Sequence, residues 1–347
     1  MRIRSFGVPL LVAIALILAA CGGTTGGTES PSSEAPGDSP SAPASEPAES
    51  TDPSALGPIR VGVEAPGGEA YIPTQLTVKR LQEQGYDIEI IQFEDPDVMP
   101  QALDAGEIHI NTNSAGQILS AVDAGLDVSG IMGLTDPEFF MVAKKEFPTC
   151  ESLDGARVAQ QGTTGFGFAS VVTWLERECP GTEPQMLDIP GSENRAVALL
   201  QGQIDATSLH ILRARQIQKE RPGDFVLIEP FGPPPNVTSA WSYALNSWLD
   251  ENPELYQAYI DTYAQVVEDI EADPQLAVDE GLATITDVDA ELLTEIMIMW
   301  AEEGWWPAAD GVSEEVFDAT LAFYESFTDY DVELTYENVI RPPALSN

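Results

Sequence analysis

The sequence predicts a two-lobed α/β protein in which the chain crosses from one lobe to the other and returns. Three observations carry that expectation. Strand-like and helix-like segments alternate from residue 59 to 133, and the alternation restarts at 139. The pattern Ala-Leu-x-x-Gly-x-Ile-(His/Asp) occurs once in each half, at 102–109 and at 198–205. After a late β-rich run at 240–245 the chain turns helical, as expected of a strand that has returned to the first lobe. At 347 residues and 37.3 kDa the chain also exceeds one average core.

The first lobe reads in order. Ile59–Val63 is a short β-rich run, and Tyr71–Gln84 has helical spacing closed by Gly85. Asp87–Phe93 alternates as a strand, and Met99–Ala105 is a short helix ending at Gly106. Ile108–Thr112 is a strand, Ser114–Ala124 a helix ending at Gly125, and Asp127–Gly133 an apolar strand. The second round has strands at Phe139–Ala143, Ala156–Gln160, Gln185–Ile189, Ile204–Thr207 and Phe225–Ile228. Its helices are Gly165–Glu178, Glu193–Gln201 and Ile211–Glu220. Ala240–Leu245 is the returning strand, followed by helices at Ser247–Glu271, Pro274–Glu280, Ala290–Glu302 and Glu314–Phe327. The expected organisation is lobe 1 at 58–142 together with 241–347, and lobe 2 at 143–240, joined by two crossing strands.

The N-terminus reads as an address. Arg2 and Arg4 precede an apolar run from Val8 to Ala20 that stops at Cys21. A cationic start followed by about a dozen apolar residues is an export signal, too short for a comfortable membrane span. Small residues ahead of Cys21 resemble the lipobox of bacterial lipoproteins, in which that cysteine becomes the lipidated N-terminus; residues 1–21 are then the signal peptide. Residues 22–57 are almost wholly Gly, Ser, Thr, Pro, Ala and Glu, with six acids and no base. Such a segment cannot bury enough apolar area to offset its ordering entropy and is expected to be a disordered tether. Signal, lipid and tether together predict a body anchored on the outer face of the cytoplasmic membrane, at the cell surface or in the periplasm.

Charge excludes whole classes of partner. Fifteen Lys and Arg stand against 57 Asp and Glu, a formal net charge of −42. Nucleic acid and anionic lipid both need clustered cations. No nucleic-acid partner is therefore expected. From Pro222 to Ile340 there is no Lys, Arg or His at all. With 43% apolar residues the body is too hydrophobic to be a disordered acidic chain. In an exported protein Cys150 and Cys179 are expected to form a disulfide, with two buried thiols or a reactive pair as the alternatives. The two histidines, His109 and His210, have no Cys or His neighbour at ligand spacing, so no metal site is expected. No cofactor is expected either.

The body resembles the exported substrate-binding components of ABC importers, in the branch that handles sulfonates, taurine, nitrate and thiamine-precursor pyrimidines. The stretches that carry the resemblance are Ile59–Ala65, Gln101–Asn113, Leu153–Gly165, Ala198–Ala206 and Trp248–Pro253, and together it spans residues 58–330. It implies a type II periplasmic-binding-protein fold of Venus-flytrap form, a small-molecule ligand, permease subunits as partners, and a monomer. Two stretches depart from the common pattern of such proteins: Val78–Gly85 in the first helix, and Asp205–Leu212 where relatives often carry Asp-Ala-x-x-x-Trp-Glu-Pro. The identity of the ligand therefore does not transfer.

Ligands of open α/β sheets gather beyond the carboxyl ends of strands. That rule selects five places. Tyr71, after a glycine-bearing turn, offers a stacking face and a hydroxyl, or simply closes the turn. Asn113 and Ser114 follow a strand, where Asn113 is equally suited to cap a helix. Gly162, Thr163 and Thr164 (with Gly165) stand before a helix, where free backbone N–H groups accept polar or anionic groups. Ser208 and His210 lie past a strand end, and His210 alone is equally consistent with a structural residue. Trp241, Ser242 and Tyr243, with Phe139 and Phe140 on the outgoing crossing, either sandwich a ring or pack between lobes. The expected ligand is a small ring-bearing or amide-bearing molecule; the alternative is a sulfonate- or nitrate-like anion on the Gly162–Gly165 amides, helped by Arg195 or Arg213. An enzyme of the same fold is the third reading, weakened by the missing Gly-x-Ser-x-Gly motif and the scarcity of general bases.

Overall fold

The computed structural model describes residues 52–64, 68–135, 139–162, 166–229, 231–286, 288–307 and 312–342. The export signal with Cys21, most of the tether, and Thr163, Thr164 and Gly165 lie outside the described residues.

In chain order the first round comprises β1 (Pro58–Glu64), α1 (Ile72–Glu83), β2 (Asp87–Phe93), α2 (Met99–Asp104), β3 (Ile110–Ser114), α3 (Ala115–Asp123) and β4 (Val128–Thr135). The second comprises β5 (Phe139–Lys144), β6 (Arg157–Gln160), α4 (Phe166–Glu178), β7 (Gln185–Asp188), α5 (Ser192–Leu200), β8 (Ala206–His210), α6 (Ile211–Glu220) and β9 (Phe225–Ile228). There follow β10 (Ala240–Leu245), α7 (Asn246–Glu251), α8 (Pro253–Ala272), α9 (Gln275–Thr284), α10 (Ala290–Glu303), α11 (Glu314–Glu325) and α12 (Tyr336–Val339).

The strands form two five-stranded sheets of matching plan, β2-β1-β3-β10-β4 and β7-β6-β8-β5-β9. In each sheet the three strands of the strand–helix units pair in parallel, and the fourth is antiparallel. That fourth strand is the one delivered by the other half of the chain: β5 leaves β4 for the second sheet, and β10 returns after β9. The crossing therefore falls between β4 and β5, so Phe139–Val142, expected at the end of lobe 1, belongs to the second sheet.

The edge strand β4 is buried along its whole length. The C-terminal segment covers it: Ile340 bridges Gly130 in parallel, and Arg341 N–H donates to the Gly130 carbonyl at 2.9 Å. A Cβ on Gly130 would stand 2.8 Å from Ile340 Cδ1, so a larger residue there would require the Ile340 side chain to shift.

Helix α8 shows how the acid-rich, cation-free stretch folds. Leu255, Tyr256, Tyr259, Ile260, Tyr263, Val266, Val267 and Ile270 recur at helical spacing on the buried side. Glu254, Glu268 and Glu271 stay on the exposed side. The single helix expected over 247–271 is two, because Asn252 precedes a proline and is pushed out of the helical region, to φ −128° and ψ 50°. Cys150 and Cys179 form a disulfide with Cα atoms 6.0 Å apart, tying the loop after β5 to the end of α4. Among the described residues no helix is long and apolar enough to cross a membrane.

Candidate functional site

The two lobes meet along the carboxyl edges of their sheets, and several contacts span them. Phe166 at the start of α4 lies 5.7 Å from Phe323 of α11, ring centre to ring centre. Phe140 of β5 stacks near Trp305 at 6.4 Å. Ile211 and Leu212, opening α6, pack among Ala70, Ile72 and Trp300 of the first lobe. At the rim Lys219 Nζ meets Asp289 Oδ1 at 2.7 Å.

Most residues expected to face a ligand are committed within their own lobes. Trp241 and Tyr243 are both fully buried in the first lobe. The Trp241 indole donates to Thr238 Oγ1 at 2.6 Å and stacks near Phe317. Tyr243 donates its hydroxyl to Gln117 Oε1 at 2.8 Å and accepts from Asn111 Nδ2 at 2.7 Å. Core packing thus accounts for both, and neither is presented to the interlobe face. Residue type alone does not reveal burial, which is why these aromatics read as ligand contacts in the sequence. Asn113 lies inside β3 and does not cap α3: its Oδ1 accepts from Ser114 N–H at 2.6 Å and its Nδ2 points to Met99. Ser114 takes the N-cap position without a capping side-chain bond.

Gly162 adopts φ +64°, but its N–H donates to Asp188 Oδ1 at 2.8 Å. The one described amide of the expected anion loop is therefore already held by a carboxylate.

The remaining expected residues sit at the interlobe edge. Phe139 and His210 face each other with ring centres 4.3 Å apart, and Phe166 adds a third ring at 5.8 Å from Phe139. His210 occupies the N-cap position of α6. Tyr71 is half-buried on the turn that opens α1. Ser208, fully buried, donates to Gln160 Oε1 at 2.7 Å. Gln160 is itself buried, and its Nε2 has no partner among the described residues.

Arg195, expected only as a helper to an anion on the Gly162–Gly165 amides, lies at this edge too, with Gln160 and Ser192, which no residue pattern singles out. Arg195 sits in the first turn of α5 and is 3% exposed. Its Nη1 donates to the Ile189 carbonyl at 3.2 Å, which folds the guanidinium back over the helix start. Its Nε has no partner among the described residues. Burial pushes this guanidinium down to about 10, while Glu64 and Asp188 pull the other way. Glu64 ends β1 in the opposite lobe, so the charge of Arg195 is felt across the cleft. The signal was available: the strand-end rule also covers the loop from Asp188 to Ser192, where Gly191 stands just before a helix. Among the described residues, the one cluster able to offer three metal ligands is Cys150, Glu151 and Cys179, whose thiols are spent in the disulfide.

Two mixed sheets of one plan, exchanging a strand each and meeting at their carboxyl edges, define a periplasmic-binding-protein fold. Solved structures agree. The ligand binding component of an ABC-type import system from Staphylococcus aureus, with zinc bound, matches at TM-score 0.68 and 14% identity, over 82% of this chain and 96% of that one. The alkanesulfonate-binding protein SsuA from Xanthomonas axonopodis pv. citri, bound to MOPS, matches at 0.64 and 17%, over 81% and 97%. The periplasmic nitrate-binding protein NrtA from Synechocystis PCC 6803 matches at 0.57 and 11%, over 69% of each chain. At such identities the likeness is one of fold. A family model described as NMT1/THI5 like matches residues 81–277, and the chain belongs to that family. No curated protein matches it in sequence.

Proposed function

We propose that this chain is the extracytoplasmic solute-binding component of an ABC importer, capturing a small organic molecule between its lobes and handing it to a membrane permease. The observation that carries the reading is the interlobe edge, where two buried side chains, Gln160 and Arg195, keep donors without a partner among the described residues, beside a seam between two lobes that the chain crosses twice. Buried donors are normally satisfied, and a bound solute would satisfy these. Closure by bending at the two crossings, between β4 and β5 and between β9 and β10, is the expected capture step.

The structural relatives named above bind zinc, MOPS and, by name, nitrate, so they support the class and not one ligand. A zinc ligand has no described site here. With Trp241 and Tyr243 in the core, a ring-bearing ligand would rely on Tyr71, Phe139 and His210. The export signal, lipidation of Cys21, the tether and the monomeric state complete the reading: a monomer anchored outside the cytoplasmic membrane, without catalytic activity.

The test is direct. Protein purified from its host or from rich medium is denatured, and the released small molecules are identified by mass spectrometry and confirmed by calorimetry. A stoichiometric solute, bound and recovered unchanged, is expected. Chemical conversion of that solute by the purified protein would establish an enzyme instead.

A further inference from the structure

We propose that the second crossing, between β9 and β10, is a rigid strut with a joint at each end. Gly232 is the joint on the side of lobe 2 and Asn236 the joint on the side of lobe 1, so the lobes turn along a restricted path. This coupling is read without any solute, so its test stands apart from the solute-binding reading.

Each end of the crossing is fastened to a different lobe. Phe231 meets Trp174 of α4 edge to face, with ring centres 5.1 Å apart. Arg177 Nη2, also from α4, donates to the Gly232 carbonyl at 3.0 Å. At the other end Asn236 Nδ2 donates to Glu315 Oε1 of α11 at 2.8 Å. The Thr238 N–H donates to Thr320 Oγ1 of the same helix at 3.2 Å, and the Ser239 hydroxyl donates to the Thr135 carbonyl at 3.1 Å. Val237, Thr238 and Ser239 are buried, so this end is part of the first lobe.

Between the fastenings stand Pro233, Pro234 and Pro235. The last two are exposed, so packing does not account for them. Each ring fixes its own φ and keeps the residue before it out of the helical region. Three in succession make a stiff run, whereas a Gly/Ser linker of the same length would coil freely. The soft torsions are left at the ends. Gly232 is at φ +142°, which residues with a side chain rarely adopt, and an added Cβ would meet nothing within 4 Å, so the demand there is conformational. Asn236 is at φ +64°, and among the described residues it is the one non-glycine with positive φ. Asparagine tolerates that region better than most residues do. A proline run flanked by two such residues, one fastened to α4 and the other to α11, forms a bar between two joints. Because α11 also carries Phe323 to Phe166 of lobe 2, a turn at Asn236 opens or closes that contact.

The experiment measures lobe-to-lobe distances by electron–electron double resonance on the full mature chain carrying Cys21→Ser. Nitroxides go on Val197→Cys of α5 and Leu282→Cys of α9, two exposed residues in different lobes, while Cys150 and Cys179 stay paired. The protein with a native crossing should give narrow distance peaks. Replacing Pro233, Pro234 and Pro235 together by Ser-Gly-Ser should broaden them at least twofold. Pro234→Gly alone should broaden them less, and it carries the test if the triple variant does not fold. Gly232→Ala and Asn236→Val should each shift the mean distance. Asn236→Gly permits the same backbone and loses only the Glu315 bond, so it should match the native crossing. Unchanged widths in the proline variants would overturn the strut, and so would broad peaks with the native crossing. The joints fall if Gly232→Ala and Asn236→Val leave the mean distance in place, or if Asn236→Gly shifts it as far as Asn236→Val does. If the widths and shifts behave as expected and no solute is recovered from the protein, the solute-binding reading fails alone.

Discussion

In the first lobe the residue closing the Ala-Leu-x-x-Gly-x-Ile repeat is His109, and in the second it is Asp205. Both accept the backbone N–H of an arginine on the neighbouring strand. Arg60 N–H donates to His109 Nδ1 at 3.1 Å, and Arg157 N–H donates to Asp205 Oδ2 at 2.9 Å. Beyond that shared bond the two sites diverge. Asp205 draws the Arg157 side chain back through two bonds, at 2.9 and 2.8 Å, and adds Lys144 at 2.8 Å. His109 gives Arg60 no charge to turn to, so Arg60 reaches out to Glu89 at 3.2 Å. The imidazole stacks on Trp248 instead, at 5.4 Å and 7° between planes. The fold thus requires an acceptor at this place, and each lobe has filled it with different chemistry.

The comparison breaks most sharply at Asp205. Its carboxyl is held far below the usual carboxylate range, first by the Arg157 hydrogen bonds and, against the opposing effect of burial, by Lys144. Asp205→Ala leaves Arg157 and Lys144 facing each other with only the Gly202 carbonyl between them as acceptor, and should cost about 2–3 kcal/mol. His109→Ala removes one neutral acceptor and a stacked ring, and should cost about 1 kcal/mol. Urea unfolding midpoints of the two variants decide it; equal losses would show that the ion cluster adds nothing beyond the shared backbone bond.

The same repeat shows where sequence reading succeeds and where it stops. Strands β2, β9 and β10 were legible to the residue, because alternation or flanking turn residues bound them. The expected strands at 108 and 204 begin two residues later, at Ile110 and Ala206. Ile108 and Ile204 are apolar and buried like strand residues, yet they lie before the ladder as plugs under the preceding helix. The strand-end rule found the edges around Gly162, Ser208 and His210 and missed the loop before α5. Nothing in the composition marks Arg195 as buried, since arginine is ordinarily a surface residue.

The turn inside the repeat should behave alike in both lobes. After α2, Glu107 N–H reaches the Ala102 carbonyl at 2.8 Å; after α5, Gln203 N–H reaches the Ala198 carbonyl at 2.9 Å. The left-handed residue that permits this closure is Gly106 at φ +71° in one lobe and Gly202 at φ +73° in the other. A Cβ would meet nothing within 4 Å at Gly106 and only Lys144 Nζ at 3.8 Å in the second case. The cost of alanine is therefore conformational, about 1–2 kcal/mol in each lobe. Gly106→Ala and Gly202→Ala should shift the urea midpoint by the same amount, and a difference above about 0.5 kcal/mol would mean that the two turns are not equivalent.

The smallest expected effect is the one that separates the lobes by pH. His109 is pushed below the ordinary histidine value, first by burial and then by the nearby Arg60 charge, with the Pro58 backbone opposing. Its folded form resists the proton that the unfolded chain accepts readily. The stability tied to neutral His109 is therefore complete above about pH 6.5 and falls as pH drops through that value toward the lower folded one. Asp205 also resists protonation in the folded state, but its contribution holds until pH falls below the ordinary aspartate range near 4. Acid should thus weaken the first lobe's copy before the second's. Between pH 7.5 and 5.5 the wild-type urea midpoint should fall, and His109→Gln should flatten that fall, because glutamine offers an acceptor without a titrating charge. Asp205→Asn should leave the same window unchanged and alter the profile only below about pH 4. The chain has two histidines, so proton resonances of wild type and His109→Gln assign the His109 titration directly. A His109 midpoint at or above 6.5 would remove the basis for this ordering of the two lobes.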